Sequence, residues 1–146
     1  QELERRSPGC IAVTAPTGLA AVNIGGQTLH SFAGIGLWKS TREMVRPERL
    51  MAKMVRNSTS ARERWCRTRT LVVDEVSMLD PSLFEQLDFV ARDVRGNHQK
   101  SFGGMQVVFC GDFLQLPPVV DAGREAEGGP AFCFETPLWA RCGLDK

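Results

Sequence analysis

Two adjacent carboxylates, Asp74 and Glu75, follow the apolar run Leu71-Val72-Val73. A third acid, Asp112, follows the apolar run Met105 to Cys110 and precedes Gln115 by three positions. This set of residue types suits hydrolysis of a nucleoside triphosphate. A carboxylate delivered by a strand end can hold Mg²⁺ directly or through water, and a neighbour pointing the other way can polarise an attacking water. Asp74 is the expected Mg²⁺ holder and Glu75 the expected polarising group. Asp112 is expected near the metal region, with Gln115 reaching across to a terminal phosphate. Gly111 permits a tight turn between strand and acid, and Pro117-Pro118 stiffen the exit, so that a shift in Gln115 is transmitted. Two plainer readings stay open: a solvated acid pair at a strand end, and a Gln115 amide that only caps loop backbone.

The elements that must position these residues can be read from pattern. Cys10 to Thr14, Thr70 to Val73 and Met105 to Cys110 are β-prone runs, and Phe132 to Phe134 is expected to form a fourth, short strand. Gly18 to Ile24 and Thr28 to Phe32 are expected as short helices, with Gly34 to Trp38 as loop. From Thr41 to Arg67 the pattern is helical but interrupted, because Pro47 belongs in a first turn and Asn57 to Ser60 carries stop and N-cap chemistry. Asp80-Pro81 opens the clearest helix: Leu83, Phe84, Leu87, Val90, Ala91 and Val94 share one face, and Gly96 lies just past its end. Thr136-Pro137 is expected to cap a last helix through Trp139. Buried strands alternating with helices predict an α/β fold, a parallel sheet with helices on both faces. In such sheets the chemistry collects beyond the carboxyl ends of the strands. TAPTG, DEVSM and GDFLQLPP all begin at such ends.

The 146 residues suffice for one domain with a single core. No apolar run approaches the roughly 20 residues of a membrane span, and a membrane partner is not expected. The five cysteines are widely spaced without a C-x-x-C pair, which argues against zinc and a disulfide framework and for a reducing compartment. A net charge of +1 does not advertise nucleic acid as a whole. Between Lys39 and Thr70, however, ten Lys and Arg residues face only Glu43, Glu48 and Glu63. That stretch reads equally as a solvated helical face or as a surface for phosphates or a partner.

Three blocks, VTAPTGLAAVNIGGQTLHSFAGIG (Val13 to Gly36), LVVDEVSMLD (Leu71 to Asp80) and FGGMQVVFCGDFLQLPPV (Phe102 to Val119), together resemble the Pif family of superfamily-one DNA helicases. Their order and spacing match, and the resemblance runs from Cys10 to about Trp139. It implies a P-loop NTPase (RecA-like) motor domain that uses ATP and Mg²⁺. Asp74 and Glu75 then match the Walker B pair, and Asp112 and Gln115 match the motif that couples the γ-phosphate to movement. Thr14, Pro16, Thr17 and Gly18 match the segment that touches the single-strand backbone; His30, Ser31 and Phe32 match the segment lining the same channel. Turn hydroxyls and backbone N–H groups suit phosphates, while His30 and Phe32 suit a sugar or a stacked base. Phe32 is equally suited to a core, and Thr17 to capping the short helix that follows.

The sequence departs from the family at its start. It contains no G-x-x-x-x-G-K-[ST] loop to hold phosphates, and its lysines, Lys39, Lys53, Lys100 and Lys146, stand in no such setting. Residues 1–146 therefore resemble part of a first motor domain, incomplete at its N-terminal side and lacking the second motor domain. Alone, such a piece is expected to be poorly soluble. The resemblance implies a helicase translocating 5′ to 3′ on single-stranded DNA and unwinding duplex junctions in replication, repair, recombination or telomere maintenance. It would act inside the cell, in nucleus or mitochondrion if eukaryotic and otherwise in cytoplasm, as a monomer. Two alternatives compete: an inactive remnant that at most binds single strands, and the helicase portion of a Helitron-type transposase.

Overall fold

The computed structural model describes residues 9–35, 46–118 and 131–144. Four strands, β1 (Ile11–Ala15), β2 (Gln27–Thr28), β3 (Thr70–Val73) and β4 (Gln106–Phe109), form one sheet in the order β2-β1-β3-β4. Every pairing is parallel, with Ile11 opposite Thr70 and Thr70 opposite Gln106. The α/β parallel sheet expected from the sequence is the architecture found. β2 was not anticipated; it pairs only with Thr14 and Ala15 of β1.

Among the described residues six helices accompany the sheet: α1 (Gly18–Asn23), α2 (Leu29–Ala33), α3 (Pro47–Asn57), α4 (Thr59–Arg67), α5 (Pro81–Val94) and α6 (Pro137–Arg141). Their starts follow local chemistry. Asp80 accepts Leu83 N–H at 2.9 Å, with Pro81 in the first turn of α5. Ser58 caps α4 by accepting Ala61 N–H, and Thr28 caps α2 by accepting Ser31 N–H at 3.1 Å. Gly34 ends α2 in the left-handed region at φ 74°, where a Cβ would stand 2.6 Å from that of Ala61. Its lack of a side chain lets α2 lie against α4.

The core sits on one face of the sheet. Ala12, Thr14, Leu71 and Val73 point into it, with Val107 and Phe109 packed at its margin. Phe84, Leu87, Val90 and Ala91 of α5 cover them, as the helical spacing requires, and Met51, Ala52 and Val55 of α3 join from outside. Trp65 is fully buried and donates its indole N–H to Ala33 O at 3.1 Å. The opposite sheet face carries Ile11, Val13 and Val72 half-buried, and Val108 is 38% exposed.

One local expectation is corrected. Phe132 to Phe134 is not a strand: a 3₁₀ turn spans Cys133–Glu135. The Glu135 carboxylate accepts the N–H groups of Ala131 and Phe132, at 2.6 and 3.0 Å, that a strand would have offered to a neighbour. Thr136 does stand at the N-cap of α6 with Pro137 in the first turn, as expected, but its hydroxyl makes no capping bond and donates backwards to Cys133 O at 2.8 Å. A further 3₁₀ turn, Ser101–Gly104, leads into β4. Residues 36–38 of the expected loop, residues 41–45 of the expected interrupted helical stretch, and the Gly- and acid-rich segment after Val119, which the sequence suggests is a loop, lie outside the described residues. No described helix is long and apolar enough to cross a membrane.

Candidate functional site

The carboxyl ends of β1, β3 and β4 bring the three sequence motifs to one edge of the sheet. A cleft of about 260 Å³ there is lined by Thr17, Leu19, Ala20, Asn23 and Ile24 from α1 and its cap, Asp74, Glu75 and Met78 after β3, and Gln115 and Leu116 after β4. Three of the four expected catalytic residues thus face one cavity. Asp112, the fourth, borders it through Gln115, whose amide donates to the Asp112 carboxylate at 3.5 Å. The other Asp112 oxygen accepts Leu114 N–H at 2.9 Å and shapes the turn. Gln115 therefore does have a local partner, yet it is exposed and its amide still borders the cleft.

Asp74 and Glu75 are both half-buried. Asp74 is held by its own N–H, which donates to Thr14 O at 2.9 Å. Glu75 lies in the left-handed region at φ 52°, ψ 46°. For a residue with a Cβ this costs about 1–2 kcal/mol, and such strain persists only where the surroundings over-determine it. The reversal turns the chain sharply into the 3₁₀ turn Val76–Met78 and gives the two neighbouring carboxylates different settings. Asp74 fits a Mg²⁺ ion of the kind bound by one or two carboxylates, water and substrate phosphates. Among the described residues no cluster of three or more His, Cys, Asp or Glu side chains could hold a metal alone.

The expected DNA-facing residues divide. Pro16 and Thr17 are half-exposed and Gly18 is exposed, all at the open end of β1. The Thr17 oxygen accepts Ala20 N–H at 3.3 Å, so its hydroxyl caps α1 while keeping its own proton for another acceptor. Thr14 is corrected: it is fully buried, and its hydroxyl donates across the sheet to Val72 O at 2.7 Å, so the side chain ties strands rather than meeting a ligand. Phe32 is corrected too, being fully buried against Trp65 with ring centroids 4.9 Å apart. A ring in that position cannot stack on a base. His30 is half-buried, and burial lowers its pKa from the ordinary histidine value, which keeps the imidazole neutral near pH 7.

Two residues of the basic stretch make structural bonds. Arg64 donates to Phe32 O at 2.6 Å and Ser31 O at 3.1 Å, and Arg56 pairs with Asp93. Arg49, Lys53, Arg62, Arg67 and Arg69 remain exposed; Lys39 and Arg42 lie outside the described residues.

Sequence reasoning missed Asn23, Met78 and Phe113. Asn23 stands on the cleft side of α1, four residues after Leu19, and that helical spacing was the available signal. Phe113 packs edge-on against Phe132, Phe134 and Trp139 at 4.7 to 6.0 Å between centroids, anchoring the turn that carries Asp112 and Gln115.

Known proteins place this architecture. The family described as PIF1-like helicase matches residues 3–144. The ATP-dependent DNA helicase PIF1 of Saccharomyces cerevisiae is 51% identical over 129 residues, spanning 88% of this chain and 14% of the yeast protein. The helicase RRM3 of the same organism is 42% identical, over 90% of this chain and 17% of its own length. The crystal structure of Pif1 helicase from Candida albicans superposes with a TM-score of 0.81 at 43% identity, over 96% of this chain and 29% of that one. Bacteroides Pif1 bound to single-stranded DNA gives 0.75 at 33% identity, over 96% and 32%. This chain spans under a fifth of either yeast relative. Its parallel sheet is the RecA-like fold of those helicases, and with a match across almost its whole length the chain belongs to the PIF1-like helicase family.

Proposed function

We propose that this chain forms part of the first motor domain of an ATP-dependent DNA helicase that moves 5′ to 3′ along single-stranded DNA. The observation that carries the reading is the single cleft shared by Asp74, Glu75 and Gln115. Glu75 orients and polarises water, Gln115 senses the terminal phosphate, and Asp74 holds Mg²⁺, which supplies charge neutralisation on the phosphate oxygens. The residues that cradle the phosphates lie outside these 146 in this reading, since none of the four lysines follows a Gly-rich loop. Pro16, Thr17, Gly18 and His30 are the DNA-facing set at the end of β1. The similarity to ATP-dependent DNA helicases and to Bacteroides Pif1 bound to single-stranded DNA supports it.

The test is Glu75→Gln in the full-length protein. Hydrolysis should fall at least about 100-fold while ATP binding is kept, the usual scale for losing a positioned general base. Normal turnover would refute the assignment. The competing reading is a binding module that engages single strands without hydrolysis. A full-length protein that binds single strands in a salt-dependent way but never ATP would establish it.

A further inference from the structure

The strained backbone of Glu75 needs something to hold it, and the holder lies in the turn after β4. The next residue, Val76, is buried, and its N–H donates to Cys110 O at 2.9 Å. Its carbonyl accepts the buried Cys133 thiol at 3.8 Å. Against this peptide lies Gly111, at φ 145°. A Cβ on Gly111 would stand 2.8 Å from Val76 N, 3.2 Å from Val76 Cγ1 and 3.4 Å from the carbonyl carbon of Glu75. The nearest of these is backbone, which cannot swing aside as a flexible side chain would.

We propose that Gly111 is a positioning residue for Glu75, with Cys133 supporting it from the other side of Val76. The bare Gly111 lets the turn after β4 close directly onto the Glu75–Val76 peptide. The Val76 to Cys110 hydrogen bond then joins the two turns, so the direction of the Glu75 carboxylate is set by the turn that carries Asp112 and Gln115. The proposal rests on the role given above to Glu75. It differs from a glycine needed only for its own φ, because its effect must vanish when Glu75 no longer acts.

The experiment uses the full-length protein and single-turnover ATP hydrolysis, which stays measurable in slow variants. Gly111→Ala should lower the hydrolysis rate about ten- to a hundredfold, as small misplacements of a catalytic group do. The KM for ATP and the affinity for a fluorescent ATP analogue should shift less than about twofold. In a Glu75→Gln background the same substitution should cost almost nothing further. A folded Gly111→Ala protein with the wild-type rate overturns the proposal, and so does an equal loss in both backgrounds. If Gly111→Ala does not fold, Cys133 decides. Cys133→Ala should slow hydrolysis about threefold, a small effect because a thiol is a weak donor, and Cys133→Ser, which keeps a donor, should restore it. Wild-type rates in Cys133→Ala would then overturn it. Normal hydrolysis by Glu75→Gln itself sinks the proposed function and this inference together, which separates the two failures.

Discussion

The carboxylate of Asp88, in the middle of α5, accepts the backbone N–H of Phe102 at 2.7 Å in a buried position. Its second oxygen pairs with Arg92 at 2.7 Å, one turn further along the helix. Phe102 and Gly103 are both left-handed, at φ 50° and 60°, and a Cβ on Gly103 would meet Ala91 O at 2.7 Å. Asp88 thus sets the turn that delivers β4, and through β4 the Asp112–Gln115 segment.

Asp88→Ala leaves Arg92 and the Phe102 N–H without their partner in a nearly dry setting. A loss of about 3–5 kcal/mol is expected, read as a lowered denaturant midpoint. Asp88→Asn should lose less, because its amide oxygen still accepts the Phe102 N–H.

Phe32 offers a clean separation of core from binding. Phe32→Ala should cost about 3–5 kcal/mol of stability, whereas Phe32→Leu, tolerated in the core, should leave single-strand affinity unchanged in a fluorescence anisotropy titration. A base-stacking ring would behave otherwise, losing about 1–3 kcal/mol of binding with either substitution.

The His30 pKa is lowered by burial, so the folded chain takes up its proton at lower pH than the unfolded chain. Above the ordinary histidine value both states are neutral and His30 contributes nothing. As pH falls through about 6.5, the unfolded state protonates first and stability declines until the folded imidazole also titrates. His30→Gln should flatten this part of the stability profile, and an NMR titration of the His30 ring should report a lower midpoint in the folded chain than in urea.

Burial pushes the Cys133 thiol up to about 11. At pH 8 it is a protonated, enclosed thiol, and the thiolate is the reactive form. Iodoacetamide followed by mass spectrometry should leave Cys133 unmodified in the native protein and label it once urea is added.

The motifs at strand ends were legible because each requirement is local: an apolar run, then acids, then a turn residue. The same holds for Asp80-Pro81 and for the cap at Ser58, where partners lie three residues apart. What escaped depended on distant partners. The left-handed Phe102 is stabilised by Asp88, fourteen positions away. β2 is two residues long and exists through its register with β1. Thr14 looked like a ligand-facing hydroxyl because nothing in its neighbourhood announces Val72, 58 positions later, as its acceptor. Phe32 depended likewise on Trp65. A short apolar-aromatic run such as Phe132 to Phe134 reads as a strand until Glu135 is seen to take its N–H groups.

The pairing of Ile11 with Thr70 joins residues 59 positions apart (11 to 70). On a ribosome adding about 5–20 residues per second, β1 is synthesised roughly 3–12 s before its central partner. Through that interval Ile11, Ala12 and Val13 lack the Thr70, Leu71 and Val72 partners of their ladder, while the helices α3 and α4 are still being made. The nascent chain therefore carries a hydrophobic strand without its β3 partner for seconds, the kind of segment that chaperones shelter until β3 arrives.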